Sequence, residues 1–218
     1  MACRRRRVES SLANWRVSDL RLNGAFMPQV VVIAGPNGAG KTTVSKTLLS
    51  EILHSKAFVN ADAIAQGLNG LAPDTQAFQA GRLMLQQLDD FAQAGEDFAF
   101  ETTLSGRTYA AWLRKLRDEG YQVFLFYSWL NSADLAVERV RLRVQTGGHS
   151  IPEPTIRSRY VRSWDNFLRL YQPIADEWRV VDNSRRTGYQ LVAEGTQTAV
   201  TTVHVPETWA RFSKGPAT

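Results

Sequence analysis

The stretch Val30-Val31-Val32-Ile33-Ala34-Gly35-Pro36-Asn37-Gly38-Ala39-Gly40-Lys41-Thr42-Thr43 decides the fold of this 218-residue chain. Its first five residues are apolar and mostly β-branched, which is typical of a strand buried on both faces of a sheet. The next residues, 35–42, have the glycine spacing of a phosphate-binding loop. Residues 41–53 then have the pattern of a helix. The loop therefore lies between a buried strand and a helix, as such a loop requires.

This loop predicts binding of ATP with Mg²⁺. Its glycines allow backbone N–H groups to surround a phosphate at the N-terminus of the next helix, where the helix dipole favours an anion. Lys41 is predicted to bridge the β- and γ-phosphates, and the Thr42 hydroxyl is the predicted protein ligand of Mg²⁺. The predicted nucleotide site comprises Gly35, Pro36, Asn37, Gly38, Ala39, Gly40, Lys41, Thr42 and Thr43.

Strands and helices alternate along the rest of the chain. Apolar runs predict further strands at residues 57–60, 97–100, 121–130 and 179–182, with helical periodicity between them. This alternation predicts an α/β fold with a mainly parallel five-stranded core sheet and helices on both faces. Together with the phosphate loop, it gives a P-loop NTPase/kinase-like fold. Alternating residues at 189–193 and 201–205 predict a small antiparallel hairpin at the C-terminal edge of the sheet.

Basic residues are concentrated at the start of the chain. Six arginines and only two acidic residues fall within residues 1–26, so residues 27–218 are nearly neutral although the whole chain has a formal net charge of +5. We expect residues 1–26 to be a basic leader, either disordered or an artefact of start assignment with Met27 as the true start. The alternative is a genuine basic tail that contacts acidic partners. Residues 27–218 are predicted to form a single P-loop kinase domain, and a nucleic-acid partner is not expected.

The compartment is predicted to be the cytoplasm. The single cysteine, Cys3, cannot form an internal disulfide. Charged and polar residues interrupt residues 8–22, which argues against a secretory signal. The sequence also lacks an apolar run of roughly 18 residues, so we predict no membrane span.

Two other classes of nucleotide-binding protein are disfavoured. The loop sequence also occurs in ABC-type ATPases, but the chain has no LSGGQ-type signature and no later strand ending in adjacent acidic residues. It also lacks the Asn-Lys-x-Asp guanine-binding motif of GTPases.

Three segments give a more specific indication. They are Phe58-Val59-Asn60-Ala61-Asp62, then Phe98-Ala99-Phe100-Glu101-Thr102-Thr103-Leu104-Ser105-Gly106-Arg107-Thr108, and Gly147-Gly148-His149-x-Ile151-Pro152. Together they resemble the zeta-toxin family of P-loop kinases, and in particular its stand-alone bacterial branch, often labelled a predicted ABC-type ATPase. The resemblance extends from about residue 28 to residue 184. It implies ATP-dependent phosphorylation of a hydroxyl of UDP-N-acetylglucosamine, and a small antitoxin protein as a partner.

The resemblance also implies roles for individual residues. It places the catalytic aspartate at Asp62, where the carboxylate would accept the proton of the acceptor hydroxyl; a helix N-cap is the alternative role. It places the acceptor site at Glu101, Thr102, Thr103 and Arg107. From its position at the end of a strand, Glu101 is also predicted to hold the magnesium shell.

Arginines are expected to neutralise the charge that develops on the transferred phosphoryl group. The candidates lie on either side of Gly147-Gly148, a pair that would let the segment between the helices act as a lid. They are Arg139, Arg141, Arg143, Arg157, Arg159 and Arg162. We predict Arg143 and Arg157 as the catalytic pair.

Two alternatives remain open at this point. The acceptor of the phosphoryl group could be another metabolite or a polynucleotide end, since a fold does not determine a substrate. The chain could instead be an ATP-dependent binding module that transfers no phosphoryl group. Asp62 and the residues around Glu101 favour an enzyme, because a binding module needs no base beside an acceptor site.

Overall fold

A computed structural model describes residues 21–22, 25–45, 57–61, 64, 73–148, 150–185 and 188–216. Its strands are β1 (Arg21–Leu22), β2 (Ala25–Phe26), β3 (Gln29–Ala34), β4 (Phe58–Asn60), β5 (Phe98–Thr102), β6 (Gln122–Trp129), β7 (Glu177–Asp182), β8 (Gln190–Thr196) and β9 (Ala199–Val203). Its helices are α1 (Pro73–Gln93), α2 (Thr108–Asp118), α3 (Ala133–Gln145), α4 (Glu153–Asn166) and α5 (Pro206–Phe212). Residues 41–45 are also helical. The rest of the helix predicted at 41–53 lies outside the described residues.

Seven strands form one sheet in the order β4-β5-β3-β6-β7-β8-β9. The first five are parallel to one another, whereas β8 and β9 are antiparallel. The prediction of a mainly parallel five-stranded core with an antiparallel C-terminal hairpin is therefore confirmed. Strand β3 is the middle one of the five parallel strands, and all six of its residues are buried.

The alternation of side chains along β3 divides the apolar interior into two parts. Val30 and Val32 belong to the larger cluster, which includes residues of helices α1 to α5. Val31 and Ile33 belong to a smaller cluster on the opposite face, together with Val44 from the helical residues after the loop. Both faces of β3 are thus covered, which explains why a continuous apolar run predicted this strand.

Local sequence signals position the helices around the sheet. In α1, Ala80, Met84 and Leu88 recur at helical spacing and are buried against it. Helix α3 begins after Ser132, whose hydroxyl accepts a hydrogen bond from the backbone N–H of Leu135 at 3.2 Å. Among the described helices, none is both long enough and apolar enough to cross a bilayer.

Some elements in the described part of the chain were not predicted from the sequence. In the segment expected to be a leader, Arg21–Leu22 pairs antiparallel with Ala25–Phe26. After β9, the helix Pro206–Phe212 returns to the core, where Phe212 is fully buried. Its aromatic neighbours are Tyr127, Trp129, Trp164, Phe167 and Trp209.

Replacing Phe212 with alanine should test how much α5 contributes to the core. We expect the free energy of unfolding to fall by about 4 kcal/mol, because truncation of a fully buried phenylalanine leaves a cavity. Urea unfolding followed by tryptophan fluorescence would measure the change. The partly exposed Val203→Ala is the control, with an expected change under about 0.5 kcal/mol. Equal stability of the two variants would contradict a structural role for α5.

Candidate active site

Side chains from β6 and from the segment between β7 and β8 donate hydrogen bonds to two carbonyl groups of the phosphate loop, residues 35–42. The Ala39 carbonyl oxygen accepts from the buried Ser128 hydroxyl at 2.6 Å and from the Asn183 side-chain amide at 2.8 Å. The Tyr189 hydroxyl donates to the Gly40 carbonyl oxygen at 3.1 Å. Burial raises the pKa of Tyr189 above its ordinary value, which keeps the hydroxyl protonated as a donor.

These contacts determine where the loop amides point. In a trans peptide the C=O and the next N–H point in opposite directions. Fixing the Ala39 carbonyl against Ser128 and Asn183 therefore turns the following N–H away from them. The start of the loop also packs closely against β6. Gly35 has φ +142°, and a Cβ there would lie 2.2 Å from the Ser128 carbonyl oxygen, so this position requires glycine. The N–H of Gly40 is thus directed away from Ser128 and Asn183, as an amide-lined phosphate site requires.

Lys41 is folded back over the loop. Its ammonium group donates to the Pro36 carbonyl oxygen at 3.1 Å, and the same oxygen accepts the N–H of Ala39 at 3.2 Å. A cation thus lies at the loop, at the N-terminal end of the helical residues 41–45. This is the charge and position expected of a group that contacts phosphates.

The two residues predicted to hold Mg²⁺ are brought together. The Thr42 hydroxyl lies 3.3 Å from Oε2 of Glu101, although the residues are 59 positions apart in sequence. Glu101 is at the carboxyl end of β5, which pairs with β3, the strand that leads into the loop. A threonine hydroxyl and a carboxylate are hard oxygen ligands, so this pair fits Mg²⁺ that is also bound to phosphate oxygens and water.

Glu101 is held in place by two further side chains. Its Oε1 accepts from the Ser45 hydroxyl at 2.8 Å, and its Oε2 accepts from the Asn60 side-chain amide at 2.7 Å. The residue is only 7 % exposed. A buried carboxylate with several donors is held in one orientation, which is what metal coordination requires.

The loop that follows β5 contains the predicted acceptor residues. We call residues 102–107 the acceptor loop. The Thr102 hydroxyl accepts the N–H of Leu104 at 3.2 Å, and the hydroxyl oxygens of Thr103 and Ser105 are 2.8 Å apart. Arg107 is exposed at the end of this loop. The acceptor loop therefore offers hydroxyls and a guanidinium directly after Glu101.

The arginines of α3 differ in their positions. Arg139 contacts the phosphate loop, with Nη1 3.5 Å from the Gly38 carbonyl oxygen and Nη2 3.4 Å from that of Ser184. Arg143, one helical turn later, is half-buried beneath Gly148. A Cβ at Gly148 would lie 2.6 Å from Cγ of Arg143, so the second glycine of the pair permits the turn to pack on this arginine.

Arg157 takes part in an ion-pair cluster at the surface between α3 and α4. Its guanidinium nitrogens lie 2.7 Å from Oδ1 of Asp134 and 2.9 Å from Oε1 of Glu153. Arg141 lies 2.5 Å from the other oxygen of Glu153. The contacts place Arg157 at the junction of the two helices, and its predicted catalytic role stays a prediction.

The structure adds residues that sequence reasoning did not select. Asn183 and Tyr189 follow β7 and reach the loop from about 145 positions away, and Ser128 reaches it from β6. The signal for Asn183 was its place directly after a predicted core strand, where polar residues meet at the carboxyl edge of the sheet. The predicted base Asp62 lies outside the described residues.

Comparison with known proteins connects this geometry to a family. The family described as Zeta toxin matches residues 21–201. An uncharacterised protein of Haemophilus influenzae is 26% identical over 132 residues, which cover 61% of this chain and 92% of that protein.

Two solved structures have a similar fold. The AvrRxo1-ORF1:-ORF2 complex with ATP has a TM-score of 0.67 at 16% identity, covering 95% of this chain and 70% of that chain. The PezAT toxin–antitoxin system of Streptococcus pneumoniae has a TM-score of 0.63 at 18% identity, covering 97% and 85%. These similarities show the fold that the strand order already indicates.

Asn183→Ala should weaken nucleotide binding. The variant leaves the Ala39 carbonyl with one donor in place of two, so the loop amides lose part of their orientation. We expect the Kd for Mg-ATP to rise about tenfold, the effect of roughly one hydrogen bond, with the thermal unfolding midpoint little changed. A fluorescent ATP analogue would report binding. The control is Asn131→Ala, because Asn131 is an exposed residue in the loop that follows β6. Equal affinity of the two variants for Mg-ATP would contradict the role of Asn183.

Proposed function

The chain belongs to the zeta-toxin family, and on this basis we propose that it is an ATP-dependent kinase that phosphorylates a hydroxyl of a nucleotide sugar, with UDP-N-acetylglucosamine as the first candidate. The proposal is carried by one observation. The Glu101 carboxylate is held 3.3 Å from the Thr42 hydroxyl of the phosphate loop, and the hydroxyl-rich acceptor loop begins at the next residue. This arrangement supports a nucleotide site and an acceptor site that meet at this carboxylate.

Mg²⁺ would be held by the Thr42 hydroxyl, with Glu101 as its carboxylate partner, either directly or through water. When bound, the ion supplies positive charge to the phosphate oxygens, which lowers the barrier to phosphoryl transfer. Ser45 and Asn60 hold the carboxylate in the orientation for this contact. Thr42 is exposed, so its hydroxyl is accessible to a ligand.

The phosphoryl group is positioned mainly by charge. The loop amides would cradle the phosphates, and Lys41 would exchange its contact with the Pro36 carbonyl for the β- and γ-phosphate oxygens. Arg139 contacts the Gly38 carbonyl of the loop, and Arg143 lies one turn further along the same face of α3. Both would add positive charge for the transferred group. The transition state is largely dissociative, so positioning and electrostatics contribute most of the rate.

We assign the binding of the acceptor hydroxyl to the acceptor loop and the predicted base Asp62. In the sequence Asp62 comes two residues after Asn60, the last residue of β4, and it would orient the hydroxyl and accept its proton. Thr103 and Arg107 would contact the sugar or its diphosphate, since a guanidinium suits phosphate oxygens. This division gives the nucleotide and the acceptor separate sets of residues.

An antitoxin is the proposed protein partner. The PezAT structure is that of a toxin–antitoxin system, and AvrRxo1-ORF1 was solved together with a second protein, ORF2. Both chains share the fold of this protein. We therefore propose that a small protein binds this chain and restrains its activity.

Transfer can be tested with γ-labelled ATP and a panel of nucleotide sugars. We expect the wild-type protein to label UDP-N-acetylglucosamine. Asp62→Asn should reduce transfer at least about 100-fold with nearly unchanged ATP binding, because general base catalysis contributes about that much. Lys41→Ala should lose ATP binding as well. Transfer by Asp62→Asn at the wild-type rate would eliminate the assigned base, and labelling of a different acceptor would replace the proposed substrate.

Glu101→Gln should alter the requirement for magnesium. The amide keeps the size of the side chain but removes its charge, so we expect the Mg²⁺ concentration for half-maximal activity to rise about tenfold. Titration of the transfer rate with MgCl₂ at fixed ATP would measure it. Glu96→Gln, an exposed residue two positions before β5, is the control. An identical Mg²⁺ dependence of both variants would exclude Glu101 from the metal site.

A further inference from the structure

The acceptor loop contains an unusual backbone conformation. Leu104 has φ +54°, the left-handed region that a bulky residue rarely adopts. Its side chain is only 1 % exposed and packs in the main core cluster. A conformation of this kind persists only where surrounding contacts enforce it, and such positions concentrate at functional sites.

Two buried side chains from another element hold the carbonyls on either side of Ser105. The Asn166 side-chain amide donates to the Leu104 carbonyl oxygen at 2.7 Å, and the Tyr171 hydroxyl donates to that of Gly106 at 2.7 Å. Asn166 is 5 % exposed and Tyr171 is 1 % exposed. Burial raises the pKa of Tyr171 to about 12, so its hydroxyl remains a donor under physiological conditions.

A change in helix type brings these two donors together. Asn166 is the last residue of α4, and the π-helical segment Phe167–Tyr171 follows it. In an α-helix, residues five apart point roughly 140° away from each other. Hydrogen bonding between residues five apart in a π-helix brings them nearer to one side. The π segment therefore allows both side chains to reach the same loop.

We propose that Asn166 and Tyr171 are positioning residues for the acceptor substrate. Asn166 and Tyr171 fix the carbonyls of Leu104 and Gly106. They thereby hold the hydroxyls of Thr103 and Ser105 and the backbone of Arg107 in a preformed arrangement. The inference rests on the proposed function of the acceptor loop. It extends that function to a helix that no motif indicated. Preorganisation of this kind strengthens binding, because the loop is already ordered when the acceptor arrives.

Two variants remove these donors with little change in shape. Asn166→Asp is isosteric, but its carboxylate has no N–H to donate to the Leu104 carbonyl. Tyr171→Phe removes only the hydroxyl, and it provides a folded test protein if Asn166→Asp is unstable. Ser163→Ala is the matched control. Ser163 is a fully buried residue of the same helix whose hydroxyl lies 3.0 Å from the Tyr127 hydroxyl in the core.

Amide hydrogen exchange would measure the anchoring without any substrate. We expect the amides of residues 104–106 to exchange about tenfold faster in Asn166→Asp and Tyr171→Phe, corresponding to the loss of roughly one hydrogen bond. Those of residues 37–44 should be unchanged, and Ser163→Ala should match the wild type in both segments. Unchanged exchange at 104–106 in both variants would overturn the anchoring.

Steady-state kinetics would then test its role in catalysis. With Mg-ATP and UDP-N-acetylglucosamine, we expect the KM for the sugar nucleotide to rise about tenfold in both variants and the KM for ATP to stay constant. Equal increases in the two KM values would overturn the positioning role. Unchanged KM values in variants whose amides at residues 104–106 exchange faster would overturn it as well. A wild-type protein that leaves this acceptor unphosphorylated would count against the proposed substrate, and the exchange rates would then decide the anchoring by themselves.

Discussion

The orientation of one peptide group, between Ala39 and Gly40, is the constraint on which the active site depends. Its carbonyl oxygen is bound by two donors, the hydroxyl of Ser128 and the amide of Asn183. Since the C=O and N–H of a peptide point in opposite directions, holding the oxygen on the sheet side directs the N–H to the phosphate side. If the loop carbonyls had no such donors, the loop would have to become ordered each time an anion bound, and this would lower the affinity.

The parallel sheet supplies these donors and the acidic side chain together. Strand β3 lies between β5 and β6, and β7 follows β6. Because all of these strands run in the same direction, their carboxyl ends meet at one edge. Glu101 from β5, Ser128 from β6 and Asn183 after β7 therefore converge on the loop that follows β3. The order of the strands thus places Glu101, with the predicted metal pair that it forms with Thr42, on one side of the loop and the carbonyl donors on the other.

The parts of this arrangement that could be predicted from sequence are those with local signals. The apolar run of β3, the glycine spacing of the loop and the alternation of elements depend on neighbouring residues, and the predicted fold is confirmed. Asn166 acts on a residue 62 positions away, and no local pattern indicates it. Asn183 acts on a residue 144 positions away, and its place directly after a predicted strand does not reveal that partner. The ion pairs of Arg157 with Asp134 and Glu153 also depend on tertiary contacts that the sequence does not indicate, and its predicted catalytic role stays a prediction.

The burial of Phe212 also has a consequence for biosynthesis. Phe212 inserts among aromatic residues from β6 and α4, so the larger core cannot close before this residue has been translated and has left the ribosome. Strands β3 to β7 therefore emerge long before the last piece of their core becomes available. A nascent chain of this protein would therefore remain incompletely packed on this face of the sheet until residue 212 has left the ribosome.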